Sequence, residues 1–159
     1  MFYRVFRDAV LLIALLVSAQ CHAAQVPAPK GSLVIIGGGL RGDNAAVWSR
    51  VVQLAGGEGA RIAVFGAASY NPLTTGDANA ARLNSYGAKA FVVPVGRGSP
   101  AAADDAELAD AIRKAGGAYF AGGDQARITR ALRRPDGSNT RVLDALWDMY
   151  RRGGVIAGT

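Results

Sequence analysis

The chain has 159 residues, half of them apolar and 19% charged, with a formal net charge of +6. That length suits one domain, and the apolar content supplies a core and excludes a disordered chain. Its single cysteine and single histidine, Cys21 and His22, exclude an internal disulfide and are too few for a His/Cys metal site.

The N-terminus reads as an address. Arg4 and Arg7 precede an unbroken apolar run from Ala9 to Val17, and the small or polar residues Ser18 to Ala24 follow. This charged, apolar, small order is that of a secretory signal peptide, and the run is shorter than the roughly 20 residues a membrane span needs. Residues 1–24 are read as a signal peptide cleaved after Ala23 or Ala24, and residues 25–30, with Pro27 and Pro29, as a linker to a domain over 31–159. Gln20 stands where acylation at Cys21 would want a small residue, and only Asp8 favours a buried N-terminal helix instead. Cleavage leaves 16 basic against 11 acidic residues, a charge of +5. It also removes Cys21 and His22, so no Ser-His pair can form from what remains. The expected location is periplasmic or secreted, with no stable membrane insertion once the leader is gone.

Strand-like and helix-like segments then alternate. Leu33-Val34-Ile35-Ile36, ended by Gly37-Gly38-Gly39, has the continuous apolar run of a strand buried on both faces of a parallel sheet. Asp43 is placed to cap a helix over about 44–54. Arg61 to Phe65 is the second strand, and a helix over about 75–86 follows the Asn71-Pro72 turn. Ala90 to Val93 is the third strand. Asp104 and Asp105 open a helix whose apolar Leu108, Ala111, Ile112 and Ala115 share one face, with Arg113 and Lys114 at the end favoured by the helix dipole. Ala118 to Ala121 is the fourth strand, broken by Gly122-Gly123. Asp124 can cap a helix to about Leu132. Pro135-Asp136-Gly137 is a turn, and Val142, Leu143, Leu146, Trp147 and Tyr150 form one apolar helix face. Val155 to Ala157 is the fifth strand.

Such alternation predicts an α/β fold, a doubly wound parallel sheet with helices on both faces. Ligands of such sheets gather at the carboxyl ends of the strands. The loops at 37–43, 66–75, 94–100, 122–125 and 158–159 are therefore expected along one functional edge.

Three motifs lie on that edge. Gly37-Gly38-Gly39-Leu40-Arg41-Gly42 matches G-x-G-x-x-G after a strand. The acid that would hold a ribose at the end of the second strand is replaced by Phe65-Gly66-Ala67-Ala68, which favours a turn that lets substrate approach Gly38 and Gly39. Gly122-Gly123-Asp124-Gln125 lies between strand and helix, where unhindered amides can stabilise an anion or oxyanion, or Asp124 can act as an N-cap. Val155-Ile156-Ala157-Gly158-Thr159 runs a strand into Gly-Thr, the first two letters of a G-x-S-x-G nucleophile elbow. The serine is expected directly after Thr159. Ser69 also lies on the edge, but no G-x-S-x-G surrounds it and structural capping is its expected role. Arg127, Arg130, Arg133, Arg134, Arg141, Arg151 and Arg152 crowd the last third without interleaved aromatics, so a solvated helix face is expected rather than a nucleic-acid surface.

Val34-Ile35-Ile36-Gly37-Gly38, then Tyr119-Phe120-Ala121-Gly122-Gly123-Asp124-Gln125-Ala126-Arg127-Ile128-Thr129, then Gly153 to Thr159, together resemble the cyanophycinases. These serine peptidases are related to the α-aspartyl dipeptidases, with a fold similar to class I glutamine amidotransferases. The resemblance runs over Gly31 to Thr159 and implies the N-terminal half of such an enzyme, incomplete at its C-terminus and inactive alone. It implies hydrolysis of cyanophycin, an arginine-bearing poly-aspartate, to β-aspartyl-arginine dipeptides, with histidine and acidic partners drawn from the following half. It further implies an oxyanion-hole amide from the Gly123 and Asp124 region, with Gln125 lining the substrate pocket and neither cofactor nor metal. Many cyanophycinases read Gly-Gly-Ala-Glu-Asp after the first strand. Here Gly38-Gly39-Leu40-Arg41-Gly42-Asp43 carries no matching acidic contact. Two alternatives stand beside this reading: a relative that cleaves small aspartyl or isoaspartyl dipeptides, and a non-catalytic nucleotide- or phosphate-binding module. A five-stranded sheet with a bare edge and apolar flank is also expected to self-associate, a homodimer being one form.

Overall fold

The computed structural model describes residues 28–96 and 100–159. The proposed signal peptide and the linker up to Pro27 lie outside the described residues. The elements in chain order are β1 (Ser32–Ile35), α1 (Ala45–Leu54), β2 (Arg61–Phe65), α2 (Pro72–Ser85), β3 (Lys89–Val93), a 3-10 turn (Pro100–Asp104), α3 (Ala106–Arg113), β4 (Gly117–Phe120), α4 (Gln125–Leu132), α5 (Arg141–Arg151) and β5 (Val155–Gly158). The strands form one parallel sheet in the order β1-β5-β4-β2-β3. The expected doubly wound α/β fold is the one observed.

Each face of the sheet has its own core. Trp48, Val51 and Val52 of α1 and Ala80 and Leu83 of α2 cover one face, packing on Ile62, Val64, Tyr119, Val155 and Ala157. On the other face α3, α4 and α5 bring Ile112, Leu132, Val142, Leu146 and Met149 onto Ala63, Phe65, Val93 and Ala118. In the alternating pleat, neighbouring residues of β2 serve opposite layers, so Ile62 to Phe65 are all fully buried. Phe65 and Phe120 stack with ring centroids 4.6 Å apart on adjacent strands.

The apolar run of β1 does not occupy a two-faced interior. It is an edge strand paired only with β5 among the described residues. Val34 and Ile36 pack toward α1, while Leu33 and Ile35 on the opposite face are 58% and 91% exposed. Sequence marks the run as apolar, but sheet order decides which faces are covered. Next to it, Leu33, Ile156, Phe120, Ile128, Leu143 and Trp147 are among the residues lining an open apolar groove of about 540 Å³.

Most helix starts follow their caps, with local corrections. Asp105 accepts from the Leu108 amide at 2.8 Å and Asp124 from the Ala126 amide at 2.8 Å. Asp43 is not the cap of α1. Asn44 takes that role, accepting from the Val47 amide, because Asp43 is drawn into a two-pronged pair with Arg41 at 3.0 and 2.8 Å. Asp104 lies in the 3-10 turn and pairs with Arg134. α2 begins at Pro72, earlier than expected, since proline's fixed φ suits a first helical turn.

Candidate functional site

The strand order creates a switch point. From β2 the chain steps outward to β3, whereas from β4 it steps the other way to β5. The adjacent strands β2 and β4 therefore send their helices to opposite faces, which opens a crevice at their carboxyl ends, where sheets of this kind bind ligands. The loops at 66–71 and 121–124 border it.

Gly122 and Gly123 form the turn after β4. A Cβ at Gly122 would lie 2.7 Å from Thr159 Oγ1, so this glycine sits directly against the end of β5. The Thr159 amide donates to Phe120 O at 3.2 Å, extending the β4-β5 pairing to the last residue. Gly123 has φ +143°, which excludes side chains, and any Cβ there would run into the Ala68 carbonyl. Among the described residues, neither the Gly122 nor the Gly123 amide donates to a protein acceptor. These two N–H groups remain available to an anion.

Asp124 has a different role. Its amide donates to Ala68 O at 3.1 Å, its carboxylate caps α4, and Arg127 and Arg130 approach that carboxylate to 3.7 and 3.9 Å. The donor capacity of the turn thus lies in its glycines, and Asp124 anchors it. Gln125 is the first residue of α4 and exposed on the same edge.

Gly38 and Gly39 follow β1, on the other side of β5. Ile36 N donates to Gly158 O at 2.9 Å, which carries β1 alongside the Gly-Thr end. Both glycines are exposed with nothing within 4 Å of where a Cβ would stand, and Gly39 has φ +75°. Since β1 and β4 both flank β5, the strands that lead into the two glycine turns are two strand spacings, about 10 Å, apart, with β5 between them. The same topology speaks against a dinucleotide site. Such a fingerprint belongs to a central strand with the ribose acid on its neighbour β2, but here β1 is at the edge, three positions from β2.

Ser69 Oγ accepts from Thr75 Oγ1 at 2.8 Å and from the Asn71 amide at 3.2 Å. It ties the β2 loop to α2, as its expected capping role requires. Burial pushes the Tyr119 hydroxyl to a higher pKa, and the neighbouring Thr159 side chain partly offsets that shift. The phenol stays neutral at ordinary pH. A neutral phenol offers Thr159 no base, and the described residues contain no histidine.

Sequence reasoning missed three members of this edge: the Ala68 carbonyl, Tyr70 and Arg127. Tyr70 is 76% exposed at the crevice and lies under the Arg127 guanidinium, 3.7 Å from Cζ to ring centroid. Arg127 belongs to the arginine-rich last third that composition assigns to a solvated face, yet its side chain is only 16% exposed. Its position three residues after the cap Asp124, on the helix face that returns toward the turn, was the available signal.

The described fold is similar to the crystal structure of a peptidase from an acI-B1 Actinobacterium, with a TM-score of 0.65 and 23% identity over 80% of this chain and 53% of that one. It shares the fold of a peptidase. The chain spans about half the length of that protein. No family model matches the chain.

Proposed function

We propose that this chain forms part of an exported, cyanophycinase-like serine peptidase, in which Gly158-Thr159 opens the nucleophile elbow and the Gly122-Gly123 amides receive the oxyanion. The carrying observation is the contact of Gly122 with Thr159. It supports a reading in which the turn carrying the unbonded Gly122 and Gly123 amides adjoins the strand end from which an elbow serine would rise, as acyl transfer through a tetrahedral intermediate requires. The resemblance of the Gly-Gly-Asp-Gln and Val-Ile-Ala-Gly-Thr segments supports the finer assignment. The substrate is an isopeptide-bearing aspartyl polymer of the cyanophycin type, with small aspartyl dipeptides as the second choice. Gln125 is exposed where it can donate to and accept from a substrate amide. The general base comes from residues other than those described.

The test begins with the coding sequence immediately after Thr159. A serine codon is expected there. The protein extended through it should release β-aspartyl-arginine from cyanophycin, and replacing that serine by alanine should abolish release. Cleavage of dipeptides but not polymer selects the second substrate. A residue other than serine at that position overturns the nucleophile assignment.

A further inference from the structure

We propose that Arg127 is a positioning residue that fixes the direction of the Gly122 and Gly123 amides. Its catalytic consequence rests on the peptidase reading, whereas its structural consequence does not.

One guanidinium meets three groups. Nη1 donates to Ala68 O at 3.1 Å, Nε lies 3.7 Å from Asp124 Oδ2, and Cζ stands 3.7 Å over the Tyr70 ring. The side chain is only 16% exposed, against 70% for Arg130, which approaches the same carboxylate. Ala68 O receives a second donor, the Asp124 amide, so a single carbonyl of the β2 loop holds both the turn after β4 and the first turn of α4. Gly123 is pressed against that carbonyl at a φ only glycine tolerates. This carbonyl thereby ties the loop after β2 to the turn after β4, beyond the end of the β2-β4 ladder.

The consequence is geometric. An oxyanion donor must be held within about 0.5 Å of its productive place, and a misplacement of about 1 Å can cost a factor of about 100 in rate. Glycine turns have no side chain to hold them, so the restraint must come from neighbours. Lysine cannot replace the fork, because a single ammonium cannot donate to Ala68, face Asp124 and lie flat on Tyr70 together.

The test reads amide hydrogen exchange over residues 121–125 in the 159-residue chain. Arg127→Gln is expected to speed exchange of the Asp124 amide about tenfold or more while β2 and β4 keep their protection, as local rather than global opening demands. Arg127→Lys should fall between, and Arg130→Gln should match the parent. If Arg127→Gln fails to fold, Tyr70→Leu, which removes only the stacked ring, should still raise exchange at the turn. Unchanged exchange in the folded variant, or in Tyr70→Leu should that one be needed, overturns the proposal whether or not the protein is a peptidase. In the extended enzyme, Arg127→Lys should lower kcat about tenfold or more with KM little changed, the signature of a lost transition-state interaction. Faster exchange with unchanged kcat overturns the catalytic consequence. An inactive parent enzyme with the expected exchange overturns the peptidase reading alone.

Discussion

Asp104 shows how one carboxylate can join distant parts of a fold. It accepts from Arg134 Nε at 3.1 Å and from the Arg141 amide at 3.0 Å, tying the turn before α3 to the segment after α4 and to the first residue of α5. The Arg134 hydrogen bond, then the Arg141 amide, lower its pKa from the ordinary 3.8. A carboxylate with a depressed folded-state pKa contributes stability that is complete above its unfolded value and is lost as pH falls through the folded one. Asp104→Asn should therefore destabilise the protein at neutral pH, with the gap between the two proteins closing below about pH 3.8 as the parent's carboxyl protonates. Denaturant midpoints taken from pH 7 down to pH 3 will show this, and a gap independent of pH would mean that the ion pair contributes nothing. Asp124 caps α4 with its carboxylate, while its amide is bonded to Ala68 O. Asp124→Ala should cost about 1 kcal/mol through the lost cap of α4, with Asp124→Asn closer to the parent because asparagine also caps.

At the scale of elements, the connection from α4 to α5 turns on Thr140, a buried polar residue. Its hydroxyl donates to Leu132 O at 2.8 Å and accepts from the Leu143 amide at 3.3 Å, ending one helix and starting the next. Thr140→Ala should lower stability by about 1–2 kcal/mol, and Thr140→Ser should recover most of it, since only the hydroxyl is required. A chemical-denaturation comparison of the three proteins decides the matter. Elements of this kind were legible because the signal is local. The caps at Asp105 and Asp124 and the five short apolar runs all depend on residues a few positions apart; the apolar face expected of α5 is buried only at Val142 and Leu146, since Ala145 and Met149 complete the buried stripe and Trp147 turns outward, 45% exposed. What could not be read locally is order. Nothing in Leu33 to Ile36 says that β1 will lie at the edge, and nothing in Gly66 to Tyr70 says that the β2 loop will meet the turn after β4. The candidate site was legible as motifs and illegible as contacts. Gly122-Gly123 stood out as an unhindered turn, but its anchor is a backbone carbonyl on Ala68, a residue whose side chain carries no chemistry.

On the scale of the whole molecule, the two faces of the sheet are unequally covered. α1 shields the inner face of β1, whereas the outer face leaves Leu33 and Ile35 in solvent and continues into the groove bordered by Ile156, Trp147 and Tyr150. A strand that stands at the sheet edge among the described residues, with a contiguous apolar flank, is the combination that recruits another surface. Arg151 lies over Trp147 with Cζ 5.4 Å from the ring, which shields one side of that indole and leaves the groove floor open. The protein is therefore expected to associate with itself as concentration rises, and sedimentation velocity across a tenfold or wider concentration range should show a shifting distribution. Leu33→Lys combined with Ile35→Lys should move that distribution toward the monomer with little loss of folding stability, because the two replaced side chains are already largely in water. A parent that sediments as a single monomer at every concentration would remove the edge and its flank as an association surface. A double variant that remains assembled would place the contact on some other surface.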